Sequence, residues 1–242
     1  MQFQLMLHYK TAHPISEANS LAAHVIVFDE DNGESVKRIS LHTMQDASGL
    51  LHLNAQFVVP NISAYWSHTY AQAKRYLISI EFVIANELTH IKLGQFGFKR
   101  ITRFNPNNFL LSINGDALFL RGACWSPLNS TSLLVVEEML RVPGNMLYAS
   151  NAFYAICDKL HILILQDFAF ANFDYPDSGE AFIASIQQEA TTFLSKHSAR
   201  PCLIVLAGNS EVAQQANTMG LNLDQLKKKI FDEYLADIAA KF

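Results

Sequence analysis

Five residues stand out by their type and by where they fall. Trp125, Arg141, Asp167, Asn209 and Glu211 each lie at or just beyond the end of a short apolar run. A carboxyl group can act as general acid or base, and a guanidinium is a fixed charge that orients carboxylates or ligand oxygens. An amide adds a donor and an acceptor, and an indole adds an apolar face. Together they could move protons on a polar ligand. Each also has a plainer reading: Arg141 as an ion-pair partner, Asp167 as a helix cap, Asn209 as a turn residue. The same placement on four successive runs is what favours a shared site.

The runs themselves predict the elements that must hold these residues. From Phe109 onward, short apolar stretches alternate with helix-period segments. Ala117 to Leu120, Met139 to Val142, His161 to Gln166 and Cys202 to Ala207 read as strands, the last wholly apolar as a strand covered on both faces should be. Asn151 to Leu160 places apolar residues at 153, 156, 157 and 160, one face of a helix. Glu180 to His197 repeats that spacing through Phe182, Ile186, Ala190, Phe193 and Leu194. Leu223 to Ile238 reads as a last helix with Asn222 as its N-cap. Strand–helix alternation predicts a parallel sheet, whose functional edge lies at the carboxyl ends of its strands.

Residues 1 to about 104 read differently. Phe3 to Tyr9, Ala22 to Phe28, Gly49 to Val59, Arg75 to Val83 and Leu88 to Phe98 are strand-like, with a turn at Asp29-Glu30-Asp31-Asn32-Gly33. No amphipathic helix of useful length interrupts them, so an antiparallel β-sandwich is expected. The fold class is therefore all-β plus α/β: residues 1–104 a sandwich, residues 105–242 a βα domain.

Composition narrows the function. The 242 residues are 50% hydrophobic and 17% charged, with net charge −4. No basic stripe exists for nucleic acid or an anionic membrane. The run Lys227-Lys228-Lys229 reads as a solvated helix face. Cys124, Cys157 and Cys202 are widely spaced and sit among apolar residues, so each is expected to be a buried free thiol. No zinc-ligand spacing and no Gly-rich phosphate loop occurs, which argues against a metal, a cofactor or a nucleotide-binding βα protein. Neither a signal peptide nor a bilayer-length apolar stretch is evident, and a reduced, cytoplasmic setting is expected.

Several motifs carry a family resemblance. Ser112-Ile113-Asn114-Gly115 followed by Leu118-Phe119-Leu120-Arg121-Gly122-Ala123 resembles the segment through which family 2 glycoside hydrolases enter their barrel. Met139-Leu140-Arg141-Val142 resembles their second strand, which carries an active-site arginine. Ile164-Leu165-Gln166-Asp167-Phe168-Ala169-Phe170-Ala171-Asn172 with Tyr175-Pro176 resembles the β-mannosidase branch. Gly208-Asn209-Ser210-Glu211 is similar to the family's Gly-Asn-Asn-Glu, whose glutamate is the acid/base. Trp66 and the stretch Arg75 to Arg100 look like the last strands of the immunoglobulin-like domain that precedes the barrel.

The resemblance implies an immunoglobulin-like sandwich followed by about four βα units of a (β/α)₈ TIM barrel. It implies a retaining exo-β-glycosidase acting on a β-linked sugar, a terminal β-mannoside in the first instance. Such chemistry uses two carboxyl groups about 5–5.5 Å apart, one as acid/base and one as nucleophile. Glu211 matches the acid/base, and an apolar barrel rim would raise its pKa toward neutrality. Arg141 and Asp167 would bind substrate or orient carboxylates. Asn209 and Ser210 would position the acid/base and the sugar 2-hydroxyl, and Trp125 would wall the sugar face.

The sequence also departs from the family. No residue matches the nucleophile, a glutamate late in the barrel, and the jelly-roll domain that opens the family's chains has no counterpart. Only Ser130 to Glu138 separate Asn129 from Met139, where the family keeps a helix. Ser210 replaces an asparagine, and Pro143 stands where many β-mannosidases keep a tryptophan. An open half barrel would expose strand edges and apolar faces. The expectation is a chain inactive alone that needs a partner chain or self-association. The competing reading is a non-catalytic structural or carbohydrate-binding subunit of an assembly.

Overall fold

A computed structural model describes residues 3–10, 22–60, 62–84, 87–105, 108–126, 138–145, 147–172, 175–176, 178–222 and 228–242. Two compact units emerge: residues 1–66 with 72–100, and residues 67–71 with 101–242.

Among the described residues the first unit holds seven strands: β1 (Phe3–Lys10), β2 (Ala23–Asp29), β3 (Ser35–Ser40), β4 (His42–Gln45), β5 (Leu51–Val59), β6 (Tyr76–Ile84) and β7 (Glu87–Phe96). They form two antiparallel sheets, ordered β1-β5-β4 and β3-β2-β6-β7. Alternation explains the pairing. Leu53, Ala55, Phe57 and Val59 of β5 are buried in one core with Val25 and Val27 of β2 and Ile78, Ile80 and Phe82 of β6. Two inner faces meeting in one core make a sandwich, and sheets of four and three strands are the immunoglobulin-like count. The turn after β2 is held by Asp29, whose carboxylate accepts the Asp31 N–H at 2.9 Å and pairs with Lys74 at 2.7 Å. That hydrogen-bonded pairing with Lys74 holds the Asp29 pKa below the usual carboxylate range. β3 and β4 have no counterpart in the sequence reading. Both are mostly exposed edge strands that carry little apolar alternation, and β3 bears Lys37 and Arg38 as such edges commonly do.

The second unit begins with a three-stranded antiparallel meander, β8 (Ile101–Asn105), β9 (Asn108–Ile113) and β10 (Asp116–Leu118). Asn114 and Gly115, both at positive φ, make the β9–β10 turn, a conformation suited to a two-residue hairpin loop. This corrects the expectation that Ala117 to Leu120 forms the first parallel strand. Residues 117–118 belong to the hairpin, Phe119 is exposed, and the first parallel strand is β11 (Gly122–Cys124).

β11 joins β12 (Met139–Val142), β13 (Leu163–Asp167) and β14 (Leu203–Ala207) in a parallel sheet of that order. Helix α1 (Asn151–Leu160) is capped by Ser150, whose hydroxyl accepts the Phe153 N–H, and ends at His161 in the left-handed region. Helix α2 (Glu180–His197) buries Ile186, Ala190, Phe193 and Leu194 against the sheet, as its spacing predicts. Helix α3 (Val212–Thr218) follows Glu211. A π-helical turn at Ile230–Tyr234 runs into α4 (Leu235–Ala239), inside the span expected to be helical. Residues 223–227, the expected start of that helix after Asn222, lie outside the described residues, as does the 127–137 connection. Among the described residues no helix is long and apolar enough to cross a membrane.

Side chains alternate across the parallel sheet. Leu140, Val142 and Ile164 join the core beneath the helices, and Gln166 hydrogen-bonds there to the Tyr154 hydroxyl. Arg141, Leu165 and Asp167 take the opposite face. β14 carries a bulge: Ile164 pairs with Leu203, but Leu165 pairs with Val205, so Ile204 is an extra residue. Bulges in parallel pairs are rare and gather beside functional sites. Beyond it, Leu206 aligns with Gln166 and Ala207 with Asp167.

Candidate active site

The residues singled out by type converge on the carboxyl edge of the parallel sheet, with one shift of position. Arg141 is the third residue of the four-residue strand β12 and does not follow its end. Its location on the strand aims the guanidinium across to Asp167, the last residue of β13. Nη2 donates to Asp167 Oδ2 at 2.8 Å and Nε to the same oxygen at 3.1 Å. Asp167 is wholly buried, whereas the Arg141 side chain keeps 32% exposure. Asp167 therefore acts as a counter-ion, not a helix cap. Hydrogen bonding to it is the main reason the Arg141 guanidinium sits above its ordinary pKa, against the opposing effect of burial, and Cys124 and Glu211 push electrostatically in the same direction.

Ser210 completes this cluster. It is buried, and its hydroxyl lies 3.3 Å from Arg141 Nη2. Its position is fixed by backbone pairing that continues past the strand ends: the Phe168 N–H donates to Ala207 O at 2.8 Å and the Ser210 N–H to Phe170 O at 2.7 Å. Gly144 makes room for that segment. A Cβ there would stand 2.3 Å from Phe168 O, so no larger residue fits without moving the backbone. Tyr175 and Phe231 brace it from below, with ring centroids 5.2 and 5.6 Å from Phe170.

Glu211 follows directly. Its backbone has φ 61° and ψ 14°, the left-handed region that a non-glycine residue enters at a cost. Asn209 holds the turn, because its Oδ1 accepts the Val212 N–H at 3.2 Å and so caps α3. The turn reading of Asn209 is thus realised, and it is also what sets the backbone of Glu211. The expectation of an apolar surround for Glu211 is corrected: its side chain is exposed among the described residues.

Trp125 lies just past β11, its N–H donating to Arg141 O at 2.8 Å. Its half-buried ring rests on Phe153 at the start of α1, with centroids 4.5 Å apart, so one face is committed to packing. Of two further side chains at this edge, sequence reasoning misplaced one and missed the other. Cys124 pairs in register with Arg141 and is exposed, which corrects the expectation of a buried thiol. Cys157 and Cys202 are buried, and burial pushes the Cys157 thiol up to about 12. Tyr148 bridges two elements: its hydroxyl donates to Glu189 at 2.9 Å and accepts the Ala169 N–H at 3.3 Å. Neither role has a periodicity signal. Among the described residues no cluster of three or more His, Cys, Asp or Glu side chains could hold a metal ion.

Known proteins resemble this chain in sequence and in fold. No family model matches the chain. Beta-mannosidase B of Aspergillus fumigatus is 26% identical over 231 residues, covering 87% of this chain and 27% of that protein. The beta-mannosidase of Rattus norvegicus is 29% identical over 195 residues, 71% of this chain and 22% of that protein. Among solved structures, the beta-D-mannosidase of Dictyoglomus thermophilum superposes with TM-score 0.75 at 20% identity, covering 100% of this chain and 31% of that one. A Bacteroides uniformis beta-glucuronidase superposes with TM-score 0.71 at 13% identity, covering 93% of this chain and 28% of that one. The chain thus spans about 27% of the length of the curated fungal relative.

Proposed function

From the premise that this chain is β-mannosidase-like, of glycoside hydrolase family 2, we propose that it forms part of a retaining exo-β-glycosidase that cleaves terminal β-mannosides, with Glu211 as the general acid/base. In this reading the parallel sheet β11–β14 is the first part of a (β/α)₈ barrel, and residues 1–104 and 105–242 are separate domains. The observation that carries the proposal is the backbone of Glu211. A left-handed glutamate costs about 1–2 kcal/mol. Asn209 and the Phe170–Ser210 pairing hold it there, and strain sustained by its surroundings is characteristic of functional positions.

The neighbouring groups support specific roles. Protonated Glu211 gives its proton to the leaving glycosidic oxygen, and its carboxylate then takes one from water. Arg141, anchored by Asp167, presents its remaining donors to sugar hydroxyls. Ser210 and Asn209 fix the approach of the sugar beside Glu211, and the free face of Trp125 offers an apolar wall. Asp167 is already engaged by Arg141, so the nucleophile is assigned to polypeptide outside these residues, in the same protein or in a partner chain that closes the barrel. The setting is taken as cytoplasmic.

Assaying aryl β-mannosides that differ in leaving-group acidity tests this. Glu211→Gln should suppress cleavage of poor leaving groups far more than that of a dinitrophenyl leaving group, which needs no proton. Equal loss on both substrates, or no loss, would refute the acid/base role. An inactive wild type, assayed with every partner polypeptide present, would favour the non-catalytic, carbohydrate-binding reading.

A further inference from the structure

Among the described residues, the non-glycine positions at positive φ are Asn114, His161, Asn172 and Glu211. Asn114 turns the β9–β10 hairpin, and His161 ends α1. The other two are neighbours. Ala171 and Ser210 form a parallel bridge beyond the ends of β13 and β14. Asn172 and Glu211 are the residues that follow this bridge, at φ 65° and 61°. Both segments therefore leave their shared pairing by the same left-handed step, side by side on the carboxyl edge. Asparagine enters that region more readily than most residues do.

The backbone leading to Asn172 is held firmly. The Ser210 N–H donates to Phe170 O at 2.7 Å, and the Tyr175 hydroxyl donates to Ala171 O at 2.5 Å. The Tyr175 ring also packs edge-on against Phe170, with centroids 5.2 Å apart. The Asn172 carboxamide is exposed and has no hydrogen-bond partner among the described residues. A donor and an acceptor, both uncommitted and carried on a fixed segment, match the hydroxyls of a saccharide. Depth decides which sugar they meet. Arg141 and Asp167 lie within their strands, and Asp167 is wholly buried. Asn172 and Glu211 lie past the strand ends, at the rim. In an exo-acting site the terminal sugar goes in first and the leaving group stays toward the opening, with the general acid facing the oxygen between them. Resting on the glycosidase reading above, we propose that Asn172 binds a hydroxyl of the leaving-group sugar and so selects a saccharide over an aromatic leaving group.

The test is calorimetric titration of the Glu211→Gln protein, with every partner polypeptide present, against β-1,4-mannobiose and benzyl β-mannoside. Both probes have poor leaving groups that need the proton this variant cannot give, so binding is read without cleavage. Each titration is repeated with Asn172→Gly added. Glycine keeps the left-handed backbone without strain and removes only the carboxamide, so the fold is preserved. Asn172→Gly should weaken mannobiose binding about five- to tenfold, the loss of one hydrogen bond, and change benzyl mannoside binding by less than about twofold. Equal weakening of both probes, weakening of neither, a greater effect on the benzyl mannoside, or failure of mannobiose alone to bind overturns the proposal and leaves the Glu211 reading standing. Failure of both probes to bind the Glu211→Gln protein overturns the proposal together with the glycosidase reading.

Discussion

Arg141 and Asp167 form an ion pair whose two halves differ in their access to water, and that difference predicts an asymmetric response to mutation. Asp167 has no exposure, while Arg141 keeps about a third of its side chain in solvent. Replacing Arg141 with methionine strands a desolvated carboxylate, a change that costs about 3–5 kcal/mol. Replacing Asp167 with asparagine leaves a guanidinium that water can reach, which still has the Ser210 hydroxyl at 3.3 Å. The loss is then about one charge-assisted hydrogen bond, on the order of 1.5–3 kcal/mol and toward its lower end at this exposure. Arg141→Met should therefore exceed Asp167→Asn by about 2 kcal/mol. The double variant should cost less than the sum of the single changes, because it leaves no unpaired charge. Urea denaturation followed by Trp125 fluorescence in a Trp66→Phe background reads the second unit alone. Equal costs within about 0.5 kcal/mol, or the reverse order, would refute the view that burial of Asp167 sets the balance.

Three further outcomes follow from neighbouring features. Glu211→Gly should raise stability by up to about 1 kcal/mol by relieving the left-handed backbone, while abolishing any glycosidase activity; a loss of stability in urea would contradict the strain argument. Gly144→Ala should destabilise the second unit by about 1–3 kcal/mol, since the new Cβ meets the Phe168 carbonyl, and wild-type stability would show that the close approach is not rigid. His197 titrates near 4 when folded and near its ordinary 6.5 when unfolded, so the unfolded chain binds more protons between those values. Its contribution to stability is complete above about pH 6.5 and is lost as pH falls toward 4; thermal unfolding across that range should show a smaller pH dependence in His197→Gln, and an unchanged slope would exclude His197 as its source.

Much of this molecule is legible in its sequence where a period and a core coincide. α1, α2, β13 and β14 follow directly from apolar spacing, because each buries one stripe or both faces. β3 and β4 escape that reading, because both are exposed edge strands with little apolar alternation. The hairpin strand β10 was hidden inside an apolar run that continues to Leu120, and only the Asn114-Gly115 turn marks where it belongs. At the candidate site, residue types were readable but relations were not. That Asp167 is bound to Arg141, that Asn209 caps α3, and that Cys124 faces solvent beside them all depend on strand register, which single-residue chemistry does not encode.

Register is also where the extra residue in β14 matters most. Along a regular strand, Leu203 and Val205 would share a face; with Ile204 inserted between the paired positions, Leu203 lies on the helix side and Val205 on the other. The insertion works as a phase setting for everything downstream. It puts Ala207, the smallest side chain of that strand, beside Asp167, where a regular register would put Leu206. Had Ile204 taken the place opposite Leu165 with no bulge, Val205 would face Gln166 and Leu206 would face Asp167, and every later residue would be displaced by one position. The identity of the groups at this edge is written in the 207–211 segment, but their aim is decided several residues earlier, at the bulge around Ile204.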